Sequence, residues 1–211
     1  MNNRKLTALA APAIIVVILD QVTKYWIRLS PGWQNFDIIP GWLAFHFTEN
    51  PGMALGMRWA STEVISIIAI VATVGILTYV LYNREEATTG YLFCMGLVLG
   101  GAFGNIIDRI FMARIQNYGG FLQGHVVDFI HFTLTINGYP VFPYIFNVAD
   151  VAISTAIISM LIFHKRIMPV PKLNDDEVEQ MPSSPVQFES EGGESKFLSE
   201  GEKGEEDRAA E

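Results

Sequence analysis

The sequence predicts an all-α membrane protein, a four-transmembrane-helix bundle, and three observations carry that expectation. Half of the 211 residues are hydrophobic. Four long apolar runs follow one another in the first 165 residues, more than the core of a soluble domain needs. The acids in or beside those runs all fall towards one end of the bundle, although successive helix ends alternate between sides.

The first run, residues 6–29, is long enough to span and carries Asp20, Lys24 and Arg28 in its second half. Its opening Met-Asn-Asn-Arg-Lys imitates a secretory signal, but the run is too long and contains Asp20, so a retained span is expected. Residues 64–82 supply nineteen uncharged positions, and the turn Asn83-Arg84-Glu85-Glu86 returns the chain to a third run, 87–107, of twenty-one. The fourth, 144–163, has Asn147 and Asp150 near its start. Two connections are long. Residues 30–63 contain Trp42-Leu-Ala-Phe-His-Phe-Thr48, whose aromatic and β-branched content predicts strands. Residues 110–143 are rich in glycine and aromatics. With both termini on one face, these two connections lie together on the other. Once the bases inside helix ends are set aside, Lys and Arg favour cytoplasmic termini.

Charge divides the chain into a domain of residues 1–172 and a tail of residues 173–211. The tail holds thirteen acids and three bases, a balance of −10, whereas the rest is +2. Its few large apolar residues cannot offset the entropy of ordering, so an acidic, disordered cytoplasmic tail is expected. Cys94 is the only cysteine, which excludes an intramolecular disulfide and a cysteine-cluster metal site. His46, His125, His131 and His164 lack metal-ligand spacing, and no phosphate loop or nucleophile elbow is present. No metal, cofactor or nucleic-acid partner is expected.

Ionisable groups within a span are costly and mark function or interhelical pairing. At 1.5 Å per residue Asp20 lies about 21 Å along the first run, and Asp150 about 9 Å into the fourth. Asp108 closes the third run, and Asp128 lies in the connection that follows. Asp20 has Lys24 at i+4 on the same face, and Asp108 is followed by Arg109, whose guanidinium could fork onto a carboxylate. Those two suit ion pairs. Asp128 and Asp150 have no base within several positions. Two unpaired carboxylates in a low dielectric do not both ionise cheaply, the arrangement that activates water for amide hydrolysis. Asp128 with Asp150 is therefore the expected catalytic dyad. Asn105 and Asn147 each precede an aspartate by three residues, on its helical face, and can orient it. Gly96, Gly100 and Gly104 form a ridge suited to close helix packing. Asn50-Pro51-Gly52 fits a tight type II turn.

Five segments in order resemble the prolipoprotein signal peptidase (signal peptidase II) family. They are Asp20-Gln-Val-Thr-Lys24, Asn50-Pro-Gly-Met-Ala-Leu-Gly56, Gly100-Gly-Ala-Phe-Gly-Asn-Ile-Ile-Asp-Arg109, Gly124-His-Val-Val-Asp-Phe129 and Phe146-Asn-Val-Ala-Asp-Val-Ala-Ile153. The resemblance implies four transmembrane helices in a bacterial inner membrane, cytoplasmic termini and a small extracytoplasmic β-rich cradle. It also implies cleavage of a diacylglyceryl-modified prolipoprotein just before the lipidated cysteine, with the dyad at Asp128 and Asp150. Asp20, Asn50, Asn105, Asp108, Arg109, Asn147 and Ala149 match positions that support the site or contact substrate. A monomer surrounded by membrane lipid is expected. The chain departs from the pattern in two places: fourteen residues, 110–123, stand where the family usually has about three, and Pro51 and Leu55 stand where other members commonly show different residues. A transporter using the acids as an ion path is the rival reading, but no convincing internal repeat is visible and the second run is wholly apolar.

Overall fold

The computed structural model describes residues 3–52 and 60–168; the Met53–Gly56 part of the second segment and the acidic tail lie outside them. Among the described residues three helices are long and apolar enough to cross a membrane: α1 (Asn3–Leu29), α2 (Thr62–Tyr82) and α3 (Thr89–Ile115). The second and third begin at side-chain caps, Ser61 accepting from the Val64 N–H and Thr88 from the Tyr91 N–H. The fourth apolar run is shorter than expected. Its helix, α4, covers Val148–Ile162, and a short α5 (His164–Ile167) follows. Residues Ile145–Phe146, read as helix, are instead a strand, because Asn147 caps α4 and fixes its start.

The helices expose apolar faces, with Ile67, Ile68, Val71 and Val74 of α2 about half accessible. Such a surface suits lipid as the solvent. What packs inside is glycine against backbone. A Cβ on Gly96 would stand 2.4 Å from the Leu9 carbonyl oxygen, one on Gly100 2.7 Å from that of Ala13, and one on Gly104 2.6 Å from Asp20 Oδ2. Continuing in steps of four along α3, Asp108 meets Lys24 and Met112 meets Arg28. Gly96 also meets Pro12 and Gly100 meets Val16, so α1 and α3 run parallel with residue i beside i+84 along this face. Gly101 turns to α4, where a Cβ would lie 2.5 Å from the Ala149 carbonyl oxygen. Asn105 meets Asp150, and Thr88 at the far end of α3 meets the Ile167 carbonyl, so α4 with α5 runs antiparallel to α3.

At one end of the bundle the long connections form an antiparallel sheet in the order β1 (Asn35–Ile39), β2 (Leu43–Asn50), β3 (Val126–Phe132), β6 (Ile145–Phe146). A hairpin of β4 (Thr135–Ile136) and β5 (Tyr139–Pro140) turns through Asn137 and Gly138, both at positive φ. Between β2 and β3 the register slips by one residue: Phe45 faces Ile130, but Thr48 faces Asp128 and Asn50 faces Val126. That bulge decides the site. Without it Asn50 would face residue 125 and point to the opposite side from Asp128; with it the two share a face as diagonal neighbours.

The long insertion has two parts. Residues 110–115 simply continue α3, which ends in a Schellman arrangement: the Tyr118 N–H donates to the Ala113 carbonyl and Asn117 takes φ 59°. The remainder returns over α2, where Ser66 donates to the Leu122 carbonyl and Gln123 Nε2 to Glu63. It delivers Gly124 against α3, where a Cβ would lie 2.0 Å from the Asp108 carbonyl oxygen. Gly124→Ala is therefore expected to lift the start of β3 off α3, costing roughly 1–3 kcal/mol. A lowered unfolding temperature of the purified protein in detergent checks this.

Candidate active site

The core of the site is an ion cluster between α1 and α3. Lys24 Nζ lies 2.8 Å from Asp20 Oδ2 and 2.8 Å from Asp108 Oδ2, and donates to Asn105 Oδ1 at 2.9 Å. All three of its protons are used, and Lys24, Asp20 and Asp108 are at most 1% exposed. Both carboxylates also take backbone and amide donors. Asp20 Oδ1 accepts the Ala149 N–H (3.0 Å) in the first turn of α4, and Asp108 Oδ2 accepts the Val127 N–H (3.2 Å) of β3. Gln21 donates to Gly104 O, Asp108 Oδ1 and Asp20 Oδ2. One buried lysine thus fixes α1 to α3, and its two carboxylates fix α4 and the sheet.

The Asp20–Lys24 pair stands as the i+4 spacing led one to expect. The expected Asp108–Arg109 pairing does not form, because consecutive helical side chains diverge by about 100° and only Lys24 shares Asp108's face. Arg109 instead turns towards the Asn50-Pro51-Gly52 turn, with Nη1 3.5 Å from where a Cβ on Gly52 would stand. That nitrogen is buried and has no hydrogen-bond partner among the described residues. Its charge acts on Asp128, Asp108 and Asp150.

Asparagines join this cluster to the two aspartates picked out for lacking bases. Asn147 Nδ2 donates to Asp128 Oδ1 at 2.6 Å and to Asn105 Oδ1 at 3.1 Å. Its carbonyl oxygen accepts the Asp150 N–H, and its own N–H donates to Asp150 Oδ2, a capping box that opens α4. Asn105 Nδ2 reaches Asp150 Oδ1 at 3.0 Å. From the other side Asn50 Nδ2 donates to Asp128 Oδ2 at 3.2 Å, while its carbonyl oxygen accepts the Gly52 N–H. Gly52 holds φ 109°, which the turn requires and glycine allows. Asp128 and Asp150 are thus hung from one asparagine, and neither has an ion pair among the described residues.

Their surroundings differ. Asp128 lies on β3, 3% exposed, between Val127 and Phe129, which pack on Ile27. Burial and then the neighbouring Asp150 charge push its carboxyl from 3.8 up to about 7, against the donors Asn50 and Asn147 and the more distant Lys24. Asp150 sits in the first turn of α4, where its Oδ2 accepts the Asn147 N–H and its Oδ1 the Asn105 amide.

A family model described as signal peptidase (SPase) II matches residues 12–166. The chain belongs to the signal peptidase II family. Among similar members, a lipoprotein signal peptidase of Chlorobium phaeobacteroides (strain DSM 266) is 36% identical over 165 residues, covering 74% of this chain and 89% of its own. One of Porphyromonas gingivalis (strain ATCC 33277) is 31% identical over 187 residues, covering 74% and 82%. Two solved structures described as bacterial membrane enzymes, at 2.3 and 1.9 Å resolution, superpose with a TM-score of 0.56 each. They are 28% and 30% identical, covering 84% and 74% of this chain and 93% and 91% of theirs. Signal peptidase II is a protease family.

All nine residues singled out in the sequence, Asp20, Asn50, Asn105, Asp108, Arg109, Asp128, Asn147, Ala149 and Asp150, meet in this one network. Two contributions escaped sequence reasoning in this signal peptidase II member. Gln21 was visible only as a neighbour of Asp20, and Lys24's link to Asp108 depends on the offset between α1 and α3, which no local spacing encodes.

Proposed function

We propose that this chain is an intramembrane aspartyl endopeptidase that removes the signal peptide from diacylglyceryl-modified prolipoproteins, cutting just before the lipidated cysteine. The observation that carries the reading is the pair Asp128 and Asp150 held by Asn147, with the Asp128 carboxyl pushed up to about 7. A carboxyl that keeps its proton near neutrality beside a carboxylate at a helix N-terminus is an acid–base pair. Asp150 takes a proton from a water lying between the two as that water attacks the scissile carbonyl. Asp128 gives its proton to the carbonyl oxygen. Collapse of the tetrahedral intermediate breaks the C–N bond, and a proton passes to the leaving amine. Asn50 and Asn147 hold Asp128; Asn105 and the α4 cap hold Asp150. Arg109's unused Nη1 suits a substrate backbone carbonyl.

In this reading α4 with α5 is a fourth span, the termini are cytoplasmic and the sheet lies as a cradle at the outer face of a bacterial inner membrane. α4 alone is about 22 Å long, short of the roughly 30 Å apolar core, but Ile167 meets Thr88 at the far end of α3. The enzyme acts as a monomer, and its substrate enters from the lipid with its signal helix among these helices.

The test is cleavage of a diacylglyceryl-modified precursor by the purified protein in lipid, with the new N-terminus read by mass spectrometry. Product beginning at the lipidated cysteine supports the assignment; intact precursor with folded protein overturns it. The pH profile follows from the sign of the Asp128 shift. Above about pH 7 Asp128 loses the proton it must donate, so kcat/KM is expected to fall about tenfold per pH unit. The Asn50 amide stabilises the ionised Asp128, so Asn50→Ala is expected to move this alkaline limb upwards. A limb that stays in place would detach it from Asp128.

A further inference from the structure

Beside the ion cluster, the last turns of α1 and α3 enclose a half-open cavity of about 400 Å³ that the proposed chemistry does not use. Its wall is mostly apolar, with Tyr25 from α1 and Ile107, Phe111 and Ile115 from α3. Two of its polar groups are committed inwards: Lys24 to Asp20, Asp108 and Asn105, and the Gln21 amide to Asp20, Asp108 and Gly104. Arg28 is not. It is partly exposed, donates only to the Met112 sulfur and lies 5.9 Å over the Tyr25 ring, with no carboxylate partner among the described residues. A thioether and an aromatic face are weak partners for a guanidinium that can fork onto an oxyanion.

Depth supplies the second observation. Arg28 stands in the last turn of α1, and Trp26 and Trp33, 5.4 Å apart, lie beside it in an aromatic group with Phe36 and Phe45. Tryptophans at the end of a span mark the headgroup level of a bilayer. Ile107 lies five residues before Met112, the neighbour of Arg28, hence about 7.5 Å deeper. The cavity therefore offers a cation at headgroup depth above an apolar wall that reaches acyl depth at Tyr25 and Ile107. We propose that it binds an anionic phospholipid, the phosphate on Arg28 and the upper part of one acyl chain against Tyr25, Ile107 and Phe111. A zwitterionic lipid would bring its ammonium group to a cavity with no carboxylate among its described lining residues, so the site discriminates by headgroup.

The full-length protein, purified in detergent and stripped of lipid, is titrated with phosphatidylglycerol or phosphatidylcholine of the same chains, and retained lipid is counted by native mass spectrometry. The wild type should hold phosphatidylglycerol at about tenfold lower concentration than phosphatidylcholine. Arg28→Gln should remove that preference, Arg28→Lys restore part of it, and Ile107→Trp prevent retention of both lipids. Unfolding temperature reports that each variant is folded. Equal retention of the two lipids by the wild type, or an unchanged preference in Arg28→Gln, overturns the proposal. Displacement of phosphatidylglycerol by a diacylglyceryl-cysteine peptide also overturns it, since the cavity would then belong to the substrate's own lipid.

Discussion

Asp128→Asn and Asp150→Asn are each expected to reduce cleavage of a lipidated precursor by on the order of 10²–10⁴-fold, and to do so without unfolding the protein. The two losses have different origins. An amide at 128 has no acidic proton to give the carbonyl oxygen, and an amide at 150 cannot take one from water. On the proposed mechanism both act on the same water, so the double variant should be scarcely worse than either single one. Stability separates these losses from damage. Asp128 has its carboxyl raised from 3.8 to about 7, so the folded state holds that proton more tightly than the unfolded chain. Its contribution to stability is full below the unfolded value and is lost as pH rises through about 7. Asparagine carries no charge to bury, so Asp128→Asn should be at least as stable as the wild type at pH 8 and lose activity nonetheless. Thermal unfolding at pH 6 and 8, run beside the cleavage assay, reads both effects. Undiminished cleavage in either variant would remove the dyad from the reaction.

The contrast between those aspartates and the paired ones was legible in the sequence, because it depends on local neighbours. Asp128 is flanked by Val126, Val127, Phe129 and Ile130, and Asp150 by alanines and valines, so nothing nearby could neutralise them. The glycine ridge was legible for the same reason, and Gly96, Gly100 and Gly104 do meet the α1 backbone and Asp20. What the sequence withheld depends on registers between distant segments. The one-residue slip between β2 and β3 puts Asn50 on the face of Asp128, and a strand sequence does not announce where a bulge falls. Residues 144–163 read as one apolar run because Ile145 and Phe146 suit strand and helix alike; the Asn147 cap decides between them. The fourteen-residue insertion is a six-residue extension of α3 followed by an eight-residue return, a division that hydropathy alone does not make.

Lys24→Met is expected to be the most damaging substitution outside the dyad. The side chain is 1% exposed and its ammonium is the only base paired with Asp20 and Asp108 among the described residues. Removing one partner of a buried ion pair costs roughly 3–5 kcal/mol, because the remaining charge keeps its desolvation penalty without its attraction. Here two carboxylates remain, facing each other across the space the ammonium filled. Asn105 loses a donor as well, so its grip on Asn147 and Asp150 loosens and activity falls with stability. Arginine should not rescue, since a planar fork does not replace a compact charge with three converging acceptors. Replacing the whole cluster separates charge from shape. Adding Asp20→Asn and Asp108→Asn to Lys24→Met removes both stranded charges and should recover much of the unfolding temperature, while the Ala149 and Val127 N–H groups keep their acceptors. Failure of the triple variant to recover would mean that geometry at Lys24, more than charge balance, holds α1 to α3. An unaltered unfolding temperature in Lys24→Met itself would refute the central place given to this lysine.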